Sequence, residues 1–202
     1  MKIICFGDSI TARKENHLKP VLTSMLKMKM KQHKFINAGV SGNTTEQAKE
    51  RFHKDVLAKN PNLVTVLFGG NDSATHKLIP IDTFKSNIRY FVQQIGVDQT
   101  ILITSPPVDE LLQPNRNNQL LKEYGQAVKD VAAETGCHCI DFFEILYSKP
   151  NYKELLVGIK NDGLHFGEAG YDLLSDAIVE EVEKMEGVSK KGICQRILNI
   201  FR

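Results

Sequence analysis

The chain has 202 residues, 42% of them hydrophobic and 25% charged, which suits one domain with a full-sized core and excludes a disordered or fibrous chain. Its 26 basic and 24 acidic residues leave a net charge of +2, too small to point to nucleic acid as a partner. No apolar run approaches the ~18–20 residues of a membrane span, and the opening run Ile3–Phe6 is too short for a signal-peptide core, so a cytoplasmic protein is expected.

Short apolar runs alternate with amphipathic segments along the chain. Lys2–Phe6 predicts a first strand. Leu18, Val21, Leu22, Met25 and Leu26 then recur at helical spacing, with Pro20 tolerated in the first turn. A second strand is expected over Lys34–Asn37, and Ala48, Phe52 and Val56 mark the helix after it. Leu63–Phe68 is almost continuously apolar or β-branched, as a strand buried on both faces of a parallel sheet should be. Phe84, Ile88, Phe91, Val92 and Ile95 predict a third helix, with Asp82 as its expected cap. Thr100–Thr104 repeats the buried-strand pattern. Leu120, Leu121, Tyr124, Val128 and Val131 predict a helix ending near Gly136. Cys137–Asp141 reads as a fifth strand with both cysteines on one face. Leu174, Ala177, Ile178, Val182 and Met185 predict a last helix that begins after Gly170 or slightly earlier.

This alternation predicts an α/β fold, a three-layer αβα sandwich on a five-stranded parallel sheet. Residues 1–187 are assigned to that domain. Residues 188–202 are set apart as a basic amphipathic tail with Lys190, Lys191, Arg196 and Arg202 and no acid; without those four, 22 basic residues face 24 acidic ones and the remainder is at −2. Ile193, Ile197 and Phe201 recur at every fourth residue of the tail. That stripe is expected to pack on the body or on a second copy in a homodimer, rather than on a membrane surface. The four cysteines, at 5, 137, 139 and 194, show neither a disulfide framework nor zinc-ligand spacing, so no metal is expected.

In such sheets chemistry lies outside the carboxyl ends of the strands. Gly7-Asp8-Ser9-Ile10-Thr11 follows the first predicted strand and would lift a hydroxyl to the top of the sheet. It is not a G-x-S-x-G elbow, because position 11 is Thr. Alone it reads equally well as a turn or a helix cap. Gly39-Val40-Ser41-Gly42-Asn43-Thr44-Thr45-Glu46 follows the second strand; Gly42 would offer a backbone N–H, and Thr44 or Thr45 a helix cap with Glu46 or Gln47 nearby. Gly69-Gly70-Asn71-Asp72 follows the third and can aim an amide into the cleft or simply turn. A late loop holds Asp162-Gly163-Leu164-His165, an acid three residues before a histidine. Neither G-x-G-x-x-G nor G-x-x-x-x-G-K-[ST] is present, which argues against a nucleotide-binding domain.

Together the four segments resemble the SGNH hydrolases, also called GDSL esterases and lipases, with Ile10 where that family usually has Leu. The resemblance spans residues 3–185 and implies the flavodoxin-like SGNH hydrolase fold. It implies a serine esterase with Ser9 as nucleophile, His165 as acid–base and Asp162 orienting the ring. The oxyanion hole would be the N–H groups of Ser9 and Gly42 and the amide of Asn71. No cofactor or metal is implied, and the partner would be a small-molecule ester. Ser105-Pro106-Pro107-Val108 and the short length resemble the isoamyl-acetate-hydrolysing branch, which implies short, acetyl-type acyl groups. Rival readings are a thioesterase or lysophospholipase on the same triad, and a non-catalytic ligand-binding module; no matched catalytic position is replaced. Asp8 and Asp72 are expected to organise loops by hydrogen bonds. Asp8, Val108 and Phe166 are the expected substrate-binding residues, with Leu111 and Leu112 beside them.

Overall fold

A computed structural model describes residues 1–187. The tail assigned to 188–202 lies outside the described residues. In chain order the elements are β1 (Lys2–Gly7), α1 (Ser9–Ala12), α2 (Val21–Lys29), β2 (Lys34–Gly39), α3 (Thr45–Asp55), β3 (Leu63–Leu67), α4 (Ile81–Ile95), β4 (Thr100–Ile103), α5 (Asn118–Thr135), β5 (His138–Ile140), α6 (Phe142–Tyr147), α7 (Tyr152–Leu155) and α8 (Glu168–Met185). Single 3₁₀ turns cover Leu57–Lys59 and Val97–Gln99.

The five strands form one parallel sheet in the order β2-β1-β3-β4-β5. This is the flavodoxin-like order, with its switch point between β1 and β3. Alternation along the strands builds a core on each face. Ile4, Phe6, Val64 and Val66 meet Phe52, Phe84 and Phe91 of α3 and α4 on one side, with Val128 and Val131 of α5. Ile3, Cys5, Leu63 and Leu67 meet Leu22 and Leu26 of α2 and Leu174 and Ile178 of α8 on the other. The sheet is thus covered on both faces, which is why β3 and β4 are buried along their whole length.

Helix boundaries follow their local signals, with two corrections. Thr44 caps α3 in a capping box with Gln47, which selects between the two threonines. Gly136, left-handed at φ 81°, ends α5. The helix that begins α4 is preceded by Pro80 rather than capped by Asp82, which lies in the first turn where its charge meets the positive end of the helix. Leu18 is no part of the α2 stripe: it precedes Pro20 and is 94% exposed, because that proline stands at the N-cap. Among the described residues no helix is long and apolar enough to cross a membrane.

Candidate active site

The carboxyl ends of β1, β2 and β3 are neighbours in the sheet, so the loops after them converge. The turn out of β1 is tight: a Cβ on Gly7 would lie 2.2 Å from Thr11 Oγ1 and 2.8 Å from the Leu67 carbonyl oxygen, so only glycine fits. Asp8 then caps α1 by accepting the Ile10 N–H at 2.9 Å, and this sets Ser9 at the first helical position. The loop after β2 is drawn against β1. Arg51 of α3 donates to the Gly7 carbonyl at 2.9 Å, to the Ala38 carbonyl at 2.8 Å and to Asn43 Oδ1 at 2.6 Å. In that loop Gly42 has φ 80°, a left-handed conformation that favours glycine.

The loop before α8 supplies the other half. His165 Nε2 lies 2.9 Å from Ser9 Oγ, and His165 Nδ1 lies 2.7 Å from Asp162 Oδ2. The second oxygen of Asp162 accepts the backbone N–H groups of Leu164 at 3.1 Å and His165 at 2.9 Å. Spacing of three residues lets one carboxylate hold both the ring and the turn beneath it. Burial raises the Asp162 pKa, but the bonds from His165 and Leu164 outweigh that and hold the carboxyl below its ordinary value. Burial pushes the His165 imidazole below its ordinary value, against the opposing pull of Asp162. A neutral ring at Nε2 is therefore the ground state near pH 7, as a proton acceptor for a serine hydroxyl must be.

The profile of the GDSL-like Lipase/Acylhydrolase family matches residues 5–173. The chain belongs to that family. A lipase/acylhydrolase structure from Enterococcus faecalis superposes with a TM-score of 0.85 at 34% identity, covering 91% of this chain and 95% of that one. The mouse isoamyl acetate-hydrolyzing esterase 1 homolog is 29% identical over 200 residues, covering 86% of this chain and 78% of its own length. An acetylxylan esterase from Geobacillus stearothermophilus is 28% identical over 160 residues, covering 73% of this chain and 71% of its own length. This GDSL hydrolase is a carboxylic ester hydrolase, and its five-stranded parallel sheet with flanking helices is the fold of its structural relatives.

Asn71 of the hydrolase is buried near the start of the loop after β3, and both of its amide hydrogens have acceptors within the protein. Nδ2 donates to Asp8 Oδ2 and to the Asn43 carbonyl, each at 3.1 Å, while Oδ1 accepts from Arg116 Nη2 at 3.1 Å. The second donor face of the site is thus occupied by the loop that also carries Gly42. Asp72 turns the other way and accepts Thr45 N–H at 2.8 Å and Thr45 Oγ1 at 2.6 Å, tying the β3 loop to the start of α3.

Three expected substrate contacts are corrected. Asp8 is only 3% exposed and both its oxygens serve the protein, one for Ile10 and one for Asn71. Burial pushes its carboxyl up to about 7, against the Ile10 N–H, with nearby Asp72 pushing the same way and Arg116 and Asn71 pulling back. Val108 is fully buried in a small cluster with Leu121, Phe143 and Leu164. Phe166 is fully buried against Phe142 and Tyr171 at 6.1 and 4.6 Å between ring centroids. Both are core residues beneath the site. Leu111, by contrast, is 85% exposed and Leu112 also faces solvent.

Two site-building residues carry no sequence signal. Arg51 sits in the polar stretch of α3, and Arg116 in a loop without a motif. Gln113 joins them: its side-chain amide donates to the Asp162 carbonyl at 2.6 Å and accepts from Arg116 Nη1 at 2.9 Å.

Proposed function

We propose that the enzyme hydrolyses esters of short, acetyl-type acids through an acyl-enzyme on Ser9. The observation that carries this reading is the unbroken chain from Ser9 Oγ to His165 Nε2 at 2.9 Å and from His165 Nδ1 to Asp162 at 2.7 Å. Ser9 Oγ attacks the ester carbonyl carbon while its proton passes to His165 Nε2. The tetrahedral adduct carries its negative charge on the former carbonyl oxygen. Collapse breaks the bond to the alcohol oxygen, which takes the proton from His165 and leaves. Water then attacks the acyl-Ser9 carbonyl, gives a proton to His165, and the acid departs as Ser9 regains its proton. Asp162 keeps the Nδ1 proton in place and stabilises the imidazolium formed in each half.

The oxyanion is met by the N–H groups of Ser9 and Gly42 and by Asn71 Nδ2. Asn71 must exchange one acceptor to do this, and the exchange is favourable: an oxyanion is a stronger acceptor than the neutral Asn43 carbonyl it displaces. The acyl preference is supported by the relatives, named for isoamyl acetate and acetylxylan.

Treatment with a fluorophosphonate and mapping of the modified peptide tests the mechanism without a guess at the alcohol. One adduct at Ser9, absent from His165→Ala, is expected. A folded protein that takes no adduct would remove the nucleophile assignment. A series of p-nitrophenyl esters from acetyl to decanoyl then tests the acyl class: kcat/KM should be highest for the shortest chains, and a maximum at long chains would overturn the acetyl-type assignment.

A further inference from the structure

We infer that Arg116 is a positioning residue that decides which atom of the Asn71 amide faces the reacting carbonyl; the inference rests on the oxyanion role of Asn71 proposed above. A carboxamide is nearly symmetric in shape, yet a half-turn about its last bond exchanges a donor for an acceptor. Only the Nδ2 orientation can serve an oxyanion. Something must therefore enforce it, and shape alone does not.

Arg116 can do so because its guanidinium has donors and no acceptor. Its Nη2 donates to Asn71 Oδ1 at 3.1 Å and its Nε to the Gly70 carbonyl at 2.9 Å, so one planar group reads two consecutive residues of the β3 loop. On the opposite side Asp8 Oδ2 and the Asn43 carbonyl each accept from Nδ2 at 3.1 Å; the oxyanion displaces the second, which leaves Asp8 and Arg116 to hold the orientation during turnover. A donor-only group behind the oxygen and an acceptor beside the nitrogen leave one orientation satisfied on both sides. Water in place of Arg116 would not discriminate, since it donates and accepts alike.

Arg116 is itself fixed from both flanks of the site. Nη1 donates to Gln113 Oε1 at 2.9 Å, and Gln113 donates onward to the Asp162 carbonyl at 2.6 Å. The neighbouring Asn115 carbonyl accepts the Thr75 N–H at 2.9 Å, from the same loop as Asn71. The segment 113–116 thus spans from the triad's acid to the oxyanion amide.

The test is steady-state hydrolysis of p-nitrophenyl acetate by the full chain carrying Arg116→Gln, Arg116→Lys, Asn71→Ala, or Asn71→Ala with Arg116→Gln. Removing a whole oxyanion donor typically costs ~10²–10³ in kcat, so a misaligned one should cost about 10–100-fold in Arg116→Gln, with KM within about threefold of wild type. Arg116→Lys keeps a donor-only head but not the fork, and should lose about three- to tenfold. The double variant should be no slower than Asn71→Ala, because an amide that is gone needs no orienting.

Four results would overturn the inference. They are a kcat within twofold of wild type in Arg116→Gln while Asn71→Ala is impaired, a loss confined to KM as for a substrate contact, losses that multiply in the double variant, and a Lys variant no better than Gln. Asn71→Ala with wild-type kcat would instead remove the oxyanion role itself, and the inference with it. If Arg116→Gln does not fold, Arg116→Lys made in both backgrounds decides: a loss present with Asn71 and absent without it supports the role, and an unchanged kcat or a multiplying loss overturns it.

Discussion

Two carboxylates bracket Ser9, and the protein treats them in opposite ways. Asp162, on the late loop, receives the His165 ring and two backbone N–H groups and keeps part of its side chain in solvent. Asp8, in the turn out of β1, receives Ile10 N–H and the Asn71 amide and is sealed from solvent. The first is held below the ordinary carboxylate range and the second is pushed up to about 7. Both accept hydrogen bonds from donors of ordinary strength, so the donors alone do not separate them. Depth and partners together do: desolvation wins under the sheet's rim, where Asp72 adds its own charge, while on the half-buried late loop a third donor, the His165 ring, tips the balance the other way. The loop carboxylate is suited to supporting a cation that appears and disappears on His165. The buried one is suited to holding Asn71 and the α1 turn in shape.

Asp162→Asn tests that division with the largest expected effect. In the Ser-His-Asp template, replacing the acid by its amide costs about 10⁴ in kcat because the ring loses its tautomer, and a loss of about 10³–10⁴ is expected here, with the fold retained. The acid limb of kcat/KM should lie below the ordinary imidazole value of ~6.5 in the wild type, since His165 must be neutral to accept the Ser9 proton. Asp162 raises the ring's pKa, so the limb should move further down in the amide variant. A limb at or above pH 7 in the wild type would contradict the balance of burial over pairing.

Phe166 follows His165 and sharpens the contrast between the mouth of the late loop and its foundation. Fully buried against Phe142 and Tyr171, it should behave as core. Phe166→Ala should cost about 3–5 kcal/mol in denaturant unfolding, far more than an exposed aromatic would. A stable variant with a changed acyl preference would return Phe166 to the substrate pocket.

Phe166 also shows where sequence reading stops. Ser9, Gly42, Asn71, Asp162 and His165 are legible only jointly: each segment alone reads as a turn, a helix cap or a loop contact, and it is the resemblance of all four blocks to one family that singles these residues out. The strands were visible, since burial on both faces removes polar residues from β3 and β4. Phe166 and Val108 could not be sorted: an apolar side chain beside a catalytic residue has the same letter whether it faces the cleft or the core. Arg51 and Arg116 were invisible for another reason. Their carbonyl partners, at Gly7, Ala38 and Gly70, exist at every position of any chain, so only the fold selects which are met. Leu18 leaves the α2 stripe through one local event, the start of that helix after Pro20.

The buried carboxylate has a signature in stability rather than rate. A group whose folded pKa exceeds its unfolded value binds a proton more tightly when folded. Between the unfolded value, near 4, and about 7, the unfolded chain has released that proton and the folded chain has not, so stability falls as pH rises through this window. For Asp8 the loss should be roughly 2–4 kcal/mol, complete above pH 7. Asp162 has the opposite sign, contributing stability above its unfolded pKa that is lost as pH falls below ~4. Asp8→Asn should be less stable than wild type at pH 5, having one acceptor oxygen for two donors, and should show a flatter decline between pH 5 and 8. Asp72, which burial also raises, will leave part of the slope in place. An unchanged slope in urea unfolding would mean that Asp8 ionises freely in the folded protein.

The smallest effect is expected where the buried side of the site is built by an ordinary helix cap. Thr44 accepts the Gln47 N–H at 3.5 Å while Gln47 Oε1 accepts the Thr44 N–H at 3.0 Å, and the next residue, Thr45, carries both bonds to Asp72. Thr44→Ala should cost about 1 kcal/mol, the usual worth of such a cap. If the cap only starts a helix, kcat will not change. If it also sets the height of the Gly42–Asn43 loop over Asn71, kcat will fall by a few-fold with KM unchanged. That outcome would extend the positioning layer from the Asp8 side of Ser9 to the first turn of α3.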